Sequence, residues 1–210
     1  MMTRKIDYSV YLVTDRHCLL GRDFYACVEQ ALIGGVTLVQ LREKEASYEE
    51  FLAEGRKVKE LCDKYNVPLL IDDNIAVAKA IGCAGVHLGQ EDDALAKGRA
   101  LLGSDAVIGI SAHNIEEAKL AEAQGADYLG VGALYTTGSK KDASVLAPGL
   151  FQEVVKAVSI PVVGIGGIHV AQYPDVLKLG AAGCAMISGI LGQEDIAGTV
   201  RQLKELYAAR

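Results

Sequence analysis

The chain has 210 residues, of which 50% are hydrophobic and 23% are charged, and its net charge is −6 at pH 7. This length suits one large domain or two small ones. The negative charge gives no general electrostatic support for a nucleic-acid partner, so any affinity for phosphate would have to be local. No run approaches the ~20 apolar residues of a membrane-spanning helix, so we expect no membrane partner either.

The five cysteines are scattered and form no CxxC pair. Cysteine is often buried, so we interpret them as core residues rather than as metal ligands or a disulfide framework. The polar residues 1–7 lack the apolar core of a signal peptide. Both features are typical of a reducing cytoplasm, which is the compartment we expect.

Short apolar strands alternate with longer amphipathic stretches along the chain. The predicted strands are residues 10–14, 37–41, 68–72, 85–88, 106–110, 128–131, 161–165 and 184–187. The predicted helices are residues 24–33, 48–65, 75–80, 93–102, 115–124, 148–158, 171–179 and 196–208. Glycine turns end many of these helices, as at Gly35 and Gly125. Eight such units without a linker predict a single (β/α)8 TIM barrel domain over residues 1–210, with a doubly wound open sheet as the alternative.

The C-terminal strand ends of such a barrel carry the active site. The second strand runs into Gln40-Leu41-Arg42-Glu43-Lys44. Arg and Lys are rarely buried unless they are paired, so an amide, a guanidinium and an ammonium at a strand end indicate an anion-binding site.

Carboxylates follow the neighbouring strands. Asp72 and Asp73 end the third strand, and Asp92 follows the fourth. Each could instead cap a helix or start one with an acidic turn. Together, beside a cationic strand, they indicate a magnesium site, because oxygen ligands without clustered His or Cys favour Mg²⁺ over zinc.

Two loops are candidates for binding phosphate. Gly166 and Gly167 follow the seventh strand, where barrels often hold phosphate and where glycine lets backbone N–H groups approach an anion. A glycine turn that needs a positive φ would look the same. The loop at residues 136–142 carries hydroxyls, a glycine and two lysines, which suits phosphate binding or an ordinary solvated loop.

The histidines carry weaker signals. We interpret His87, within the fourth strand, as a packed or supporting residue rather than a base. His113 is near Ser111 in the sequence, but no third partner is evident, so we reject a nucleophilic triad. His17 and His169 are predicted in surface loops.

Seven segments, in order along nearly the whole chain, resemble the thiamine-phosphate synthase family. They are residues 11–16, 35–44, 85–92, 109–113, 126–132, 137–142 and 163–168. The resemblance implies a cytoplasmic barrel enzyme that joins a hydroxymethylpyrimidine diphosphate to a hydroxyethylthiazole phosphate. The products would be thiamine phosphate and pyrophosphate, and the partners small-molecule substrates. Whether the chain forms a homo-oligomer is left open.

The resemblance also implies roles for individual residues. Within the substrate-binding segment that contains Leu41 and Glu43, the residues Gln40, Arg42 and Lys44 would hold the pyrimidine diphosphate. We expect Glu43 to face away or to orient its neighbours. The catalytic residues would be Arg42, Lys44, Ser111 and Lys140, the magnesium ligands Asp73 and Asp92, and the further substrate-binding residues Asp72, Thr137, Gly138, Ser139, Gly167, Ile187 and Ser188.

Three positions depart from the family pattern. Asp72 stands where Asn is usual, which adds a charge and removes an amide donor. The loop at 136–140 reads Thr-Thr-Gly-Ser-Lys instead of Pro-Thr-x-Thr-Lys, which should loosen it. Gly189 stands where Ala is common, and we expect that change to be minor.

Two other functions compete with the synthase. A thiazole tautomerase on the same barrel would have little use for a diphosphate clamp, so Arg42, Lys44 and Lys140 argue against it. A non-catalytic regulator that binds thiamine precursors is favoured only by Asp72. In the synthase, these cations and Mg²⁺ would neutralise the departing diphosphate, and positioning would bring the thiazole nitrogen to the pyrimidine methylene cation.

Overall fold

The structure, a computed structural model, describes residues 6–90, 94–138 and 144–210. In this part of the chain, eight parallel strands alternate with helices, and each strand pairs with the next one in the sequence. The last strand pairs with the first, so the sheet closes. The predicted (β/α)8 barrel is therefore confirmed, and the open sheet is excluded because a closed ring has no edge strands.

The element bounds agree with the predicted pattern to within a few residues. The strands are β1 Val10–Val13, β2 Leu38–Leu41, β3 Leu69–Asp72, β4 Gly85–Leu88, β5 Val107–Ala112, β6 Tyr128–Val131, β7 Val162–Ile165 and β8 Gly183–Met186. The helices are α1 Phe24–Gly34, α2 Tyr48–Lys64, α3 Ile75–Ile81, α4 Ala94–Leu102, α5 Ile115–Ala123, α6 Leu150–Ala157, α7 Tyr173–Lys178, α8 Ser188–Leu191 and α9 Ile196–Ala208. A short 3₁₀ helix spans Arg16–Cys18.

Two differences from the prediction affect the site. Strand β5 continues to Ala112, so Ser111 belongs to the sheet and not to the following loop. Helix α8 follows β8 almost directly and was not predicted, because four residues are too few to show a helical period.

Alternation along the strands divides the apolar residues into two layers. The inner layer fills the barrel and includes Tyr11, Leu38 and Tyr128. The outer layer lies between the sheet and the helices and includes Val39 and Leu41. Because successive side chains point to opposite faces, alternate residues of each strand end point into the barrel mouth.

The N-terminus of α3 is capped by a residue other than the two aspartates at the end of β3. Asn74 caps α3 by accepting a hydrogen bond from the backbone N–H of Val77 at 3.0 Å. Asp72 and Asp73 therefore do not serve as the cap that their position also allowed. Within the described residues, no helix is long and apolar enough to cross a membrane.

Candidate active site

A pocket of about 240 Å³ opens at the C-terminal ends of the strands. Gln40, Asp72 and Ser111 reach it from the last or second-last position of β2, β3 and β5. The residues predicted from the sequence that line the pocket are Gln40, Arg42, Lys44, Asp72, Asp73, Ser111, Thr137, Gly167, Ile187 and Ser188. One cavity thus brings together cations, carboxylates, a hydroxyl and a glycine loop from six strand ends.

Some predicted residues are not in the pocket lining. The side chain of Leu41 is fully buried in the outer layer, because it has the opposite parity to Gln40 on β2. Gly138 is exposed and does not line the cavity. Three further predicted residues, Asp92, Ser139 and Lys140, lie outside the described residues.

Glu43 is not in the pocket lining either, which agrees with the expectation that it faces away and does not support its grouping with the substrate-binding residues. Its carboxylate accepts a hydrogen bond from Arg16 Nε at 3.2 Å, and Arg16 also contacts Glu54. Burial, and then the nearby Glu54 carboxylate, raise the pKa of Glu43 to about 7 despite Arg16. Among the described residues, Glu54 Oε1 is a buried oxygen without a hydrogen-bond donor.

Arg42 is held in place by groups from β1 and β3. Its backbone N–H donates to the hydroxyl of Thr14 at 3.0 Å, and its Nη1 lies 3.1 Å from Asp15 Oδ2. Its Nε lies 3.8 Å from Asp72 Oδ2, and its side chain is 19% exposed. Asp15 is itself buried and accepts the backbone N–H of His17. The guanidinium is therefore oriented by contacts within the protein, at the rim of the pocket.

Lys44 lies between two carboxylates. Its Nζ is 2.9 Å from Asp72 Oδ2 and also contacts Asp73 Oδ2. Partial burial opposes its charged form, but the two carboxylates outweigh burial and raise the pKa of Lys44. Burial, and then the charge of Asp73, raise the pKa of Asp72 in spite of Lys44 and Arg42. The ammonium thus stays charged at neutral pH.

The carboxylates after β3 are chemically suited to magnesium. The Asp73 side chain is 53% exposed at the pocket mouth, and its backbone has φ 57°, a left-handed conformation that Asp tolerates better than most residues. Within the described residues, no group of three or more His, Cys, Asp or Glu side chains could hold a metal. Asp72 and Asp73 offer oxygen donors only, which is the donor type that Mg²⁺ prefers.

The inner layer contains a polar chain that was not predicted. Gln40 Nε2 donates to the hydroxyl of Tyr11, which lies 2.8 Å from the hydroxyl of Tyr128. His87 Nδ1 lies 2.8 Å from the same Tyr128 hydroxyl, and its Nε2 lies 3.0 Å from Ser111 Oγ. His87 is thus a buried supporting residue, as interpreted. Strand parity would have placed both tyrosines inside the barrel, but not in contact with each other.

His113 belongs to a different arrangement. Its Nδ1 lies 3.0 Å from Glu117 Oε2 at the start of α5, one helical turn further on. The imidazole lines the pocket, but its Nδ1 is engaged by Glu117 and no hydrogen bond joins it to Ser111 among the described residues. This geometry agrees with the rejection of a triad.

The opposite side of the pocket is built from tightly packed glycine loops. Gly167 has φ 64°, and a Cβ there would lie 2.5 Å from the carbonyl oxygen of Thr136. Gly189, in α8, has no room for a Cβ either, because it would lie 2.2 Å from the carbonyl oxygen of Ile168. The expectation that glycine and alanine are nearly equivalent at position 189 is therefore wrong for the packing, since a Cβ there would force α8 or the loop after β7 to shift.

Comparisons with known proteins agree on one family. The family described as thiamine monophosphate synthase matches residues 10–190. A thiamine-phosphate synthase of Clostridium botulinum is 45% identical over 206 residues, 98% of this chain and 97% of that protein. A thiamine-phosphate synthase of Clostridium acetobutylicum is 47% identical over 203 residues, 97% of this chain and 96% of that protein.

A solved structure extends the agreement to three dimensions. Thiamine phosphate pyrophosphorylase from Pyrococcus furiosus superposes with a TM-score of 0.88 at 34% identity, covering 97% of this chain and 96% of that one. Sequence and fold thus match over nearly the full length, and not only at the pocket. The chain belongs to the thiamine monophosphate synthase family.

Proposed function

We propose that this pocket condenses a hydroxymethylpyrimidine diphosphate with a hydroxyethylthiazole phosphate to give thiamine phosphate and pyrophosphate. The observation that carries the proposal is that Arg42 and Lys44, after β2, line one cavity together with Ser111 of β5, Gly167 after β7 and Ser188 after β8. Cationic side chains and glycine backbone in one cavity suit two substrates that each bring an anionic group. The family membership supports the same transferase reaction.

In the proposed reaction, the bond between the pyrimidine methylene carbon and the diphosphate oxygen breaks, and its electron pair leaves with the diphosphate. The aminopyrimidine ring stabilises the methylene cation, and the lone pair of the thiazole nitrogen then forms the new carbon–nitrogen bond. No strong base is needed. Arg42 and Lys44, and Lys140 from the loop after β6, would neutralise the charge that develops on the leaving oxygens.

The remaining residues position the reactants. Gln40 and Ser111 would contact the pyrimidine diphosphate, with the Ser111 hydroxyl donating to an oxygen of the leaving group. The backbone at Gly167 and at Ile187 and Ser188 would receive the thiazole phosphate, and Thr137 would add a hydroxyl. Holding the thiazole nitrogen near the cation supplies the rest of the acceleration.

We propose that Mg²⁺ is the metal and that Asp73 and Asp92 hold it, with Asp72 close by. The oxygen donors after β3 support this choice. When bound, the ion would supply positive charge to the diphosphate. We further propose that the enzyme works in the cytoplasm on these small molecules, since its five cysteines are all free thiols.

Turnover with both substrates and Mg²⁺, followed by pyrophosphate release and thiamine phosphate formation, tests the proposal. We expect both products in equal amounts. Arg42→Ala and Lys140→Ala should lower kcat/KM by about 100-fold or more, because each removes a charge from the leaving-group side. Arg56→Ala, on the exposed face of α2, is the matched control and should leave kcat/KM unchanged.

The same assay separates the competing functions. Isomerisation of a thiazole without pyrophosphate release would replace the synthase with a tautomerase. Tight binding of the precursors with no product would replace it with a regulator. Full activity of Arg42→Ala would show that the residues that neutralise the diphosphate are wrongly assigned.

A further inference from the structure

We infer that Tyr128 and His87 are positioning residues that orient the Ser111 hydroxyl toward the leaving group, through a buried hydrogen-bond relay that begins at Gln40 and Tyr11. The inference rests on the proposed function, because Ser111 is taken to meet the diphosphate. It adds roles for the two tyrosines and the histidine, and it explains why polar rings fill the centre of an otherwise apolar barrel.

The relay crosses the barrel from β2 to β5. Its contacts run from Gln40 to Tyr11, then to Tyr128 at 2.8 Å, to His87 at 2.8 Å and to Ser111 at 3.0 Å. Tyr11 is 1% exposed and Tyr128 is fully buried. Burial keeps both phenols neutral, since it raises their pKa values above the ordinary value. Each phenol therefore retains one hydrogen to donate.

The direction of the hydrogen bonds along the relay follows from Gln40, its first residue. The amide nitrogen of Gln40 donates to Tyr11 and cannot accept, so the Tyr11 hydrogen is directed to Tyr128. The Tyr128 oxygen then accepts from Tyr11, and its own hydrogen is directed to His87 Nδ1. Any other arrangement would leave a buried hydroxyl hydrogen without an acceptor inside the barrel, which is unfavourable.

This direction fixes the tautomer of His87. An imidazole that accepts at Nδ1 carries its proton on Nε2, and Nε2 faces Ser111 Oγ at 3.0 Å. The Ser111 oxygen therefore accepts from His87, and its hydroxyl hydrogen is left to donate into the pocket that Ser111 lines. With the opposite tautomer, Ser111 would donate to His87 and offer the anion only lone pairs.

Two glycines make room for the relay. A Cβ at Gly109 of β5 would lie 2.1 Å from the ring of Tyr128, and a Cβ at Gly130 of β6 would lie 2.9 Å from His87 Cε1. Any larger residue at either inward-facing position would therefore displace a relay ring. The space that these strands leave open is occupied by Tyr128 and His87.

The relay is tested by a double-mutant cycle between Tyr128→Phe and Ser111→Ala. We expect Tyr128→Phe alone to lower kcat by about tenfold to a hundredfold, with little change in KM, because a donor used in the transition state is misdirected. In the Ser111→Ala background, the same change should cost nothing further. His87→Gln keeps one acceptor and one donor and should recover most of the activity that His87→Leu loses.

The matched control is Tyr8→Phe. The ring of Tyr8 packs on Tyr128 with 4.7 Å between centroids, and its hydroxyl is not part of the relay. This variant removes the same atom from the same layer and should keep wild-type kcat. Equal thermal midpoints for the two Tyr→Phe proteins would show that folding does not account for the difference.

A second readout does not depend on turnover. Nitrogen-15 NMR of the His87 imidazole, assigned by loss of its signals in His87→Gln, should show the Nε2–H tautomer in the wild-type protein. Tyr128→Phe should shift it toward a mixture. The Nδ1–H tautomer in the wild-type protein, or additive losses in the double mutant, would overturn the relay. Failure of the proposed function would appear earlier, as no turnover by the wild-type protein itself.

Discussion

At the scale of single residues, the main feature of the pocket is that the two cations within the described residues, Arg42 and Lys44, are paired with carboxylates. Lys44 contacts Asp72 and Asp73, and Arg42 contacts Asp15. The diphosphate that we propose binds here would therefore compete with these carboxylates for the same two side chains. Asp72, whose side chain is only 11% exposed, is the carboxylate that lies near both cations.

Replacement of Asp72 measures that competition. We expect Asp72→Asn to lower KM for the pyrimidine diphosphate by up to about fivefold, since a partly exposed ion pair contributes up to about 1 kcal/mol. Steady-state kinetics at fixed thiazole phosphate would show the change. Asp63→Asn, at an exposed ion pair with Lys59 on α2, is the control and should leave KM unchanged. An unchanged or higher KM in Asp72→Asn would contradict the competition.

Glu43 gives the barrel a pH dependence away from the pocket. The pKa of Glu43 is raised to about 7, so between its unfolded value near 4.5 and pH 7 the folded state binds more protons than the unfolded state. The free energy of unfolding should therefore fall as pH rises through this window and level off above it. Below about pH 4.5, the raised pKa makes no difference to stability.

Glu43→Gln should remove this dependence. An amide keeps the shape of the protonated acid and can donate to the Glu54 carboxylate without carrying a charge. We expect the variant to be more stable than the wild-type protein at pH 8, by about 1–3 kcal/mol, and to match it near pH 4.5. Urea unfolding at several pH values would measure both effects. Parallel pH profiles of the two proteins would show that Glu43 titrates normally.

At the scale of elements, the part of the pocket that we propose for the thiazole phosphate depends on how closely α8 approaches the loop after β7. Gly189 lies against the carbonyl oxygen of Ile168, and Gly167 lies against that of Thr136. These are contacts with backbone, which cannot rotate out of the way as a flexible side chain can. Gly189 therefore allows α8 to lie close to the loop after β7, and Gly167 allows that loop to lie close to the loop after β6.

Gly189→Ala should push α8 away from this loop. We expect KM for the thiazole phosphate to rise by about tenfold or more, because displaced backbone groups position a substrate poorly. KM for the pyrimidine diphosphate should change less. Gly55→Ala in α2 is the control, since its Cβ would meet only side-chain methyl groups, those of Ile81 at 3.3 Å and Val77 at 3.5 Å, and no backbone. Equal effects on both substrates would contradict the proposed division of the pocket.

At the scale of the whole molecule, a closed ring of eight strands links every part of the pocket. Each strand pairs with two neighbours, so ligands that hold β2, β3 and β5 together oppose unfolding of the entire barrel. Ligand binding should therefore be visible as a change in the thermal midpoint.

We expect Mg²⁺ and pyrophosphate together to raise the midpoint by about 5–10 °C when pyrophosphate is at 100 times its Kd. Either alone should have a smaller effect. Asp73→Asn, which tolerates the same left-handed backbone, should lose the contribution of Mg²⁺. Calorimetry measures the thermal midpoint with each ligand and with both, and sulfate serves as the salt control. Equal stabilisation by pyrophosphate without Mg²⁺ would argue against a metal at Asp73.

Much of the fold and part of the site were predictable from local pattern. The alternation of apolar strands and amphipathic helices predicted the barrel, and strand ends predicted the place of Gln40, Arg42 and Asp72. Leu41 and Glu43 were grouped with them because they are adjacent in sequence. Side-chain alternation turns both outward, and that parity could have been applied to β2 in advance.

The sequence by itself determined the barrel, its order of strands and the residue types at its mouth, because these depend on short-range periodicity. Only the tertiary structure decided which distant groups meet. Tyr11 and Tyr128 are 117 positions apart, and their contact exists because the closed sheet aims both at its axis. The contact of α8 with Ile168 and the ion pairs of Lys44 likewise exist because the closed sheet brings separate strand ends together. Such contacts depend on distances of a few ångströms between separate strands, which no local pattern encodes.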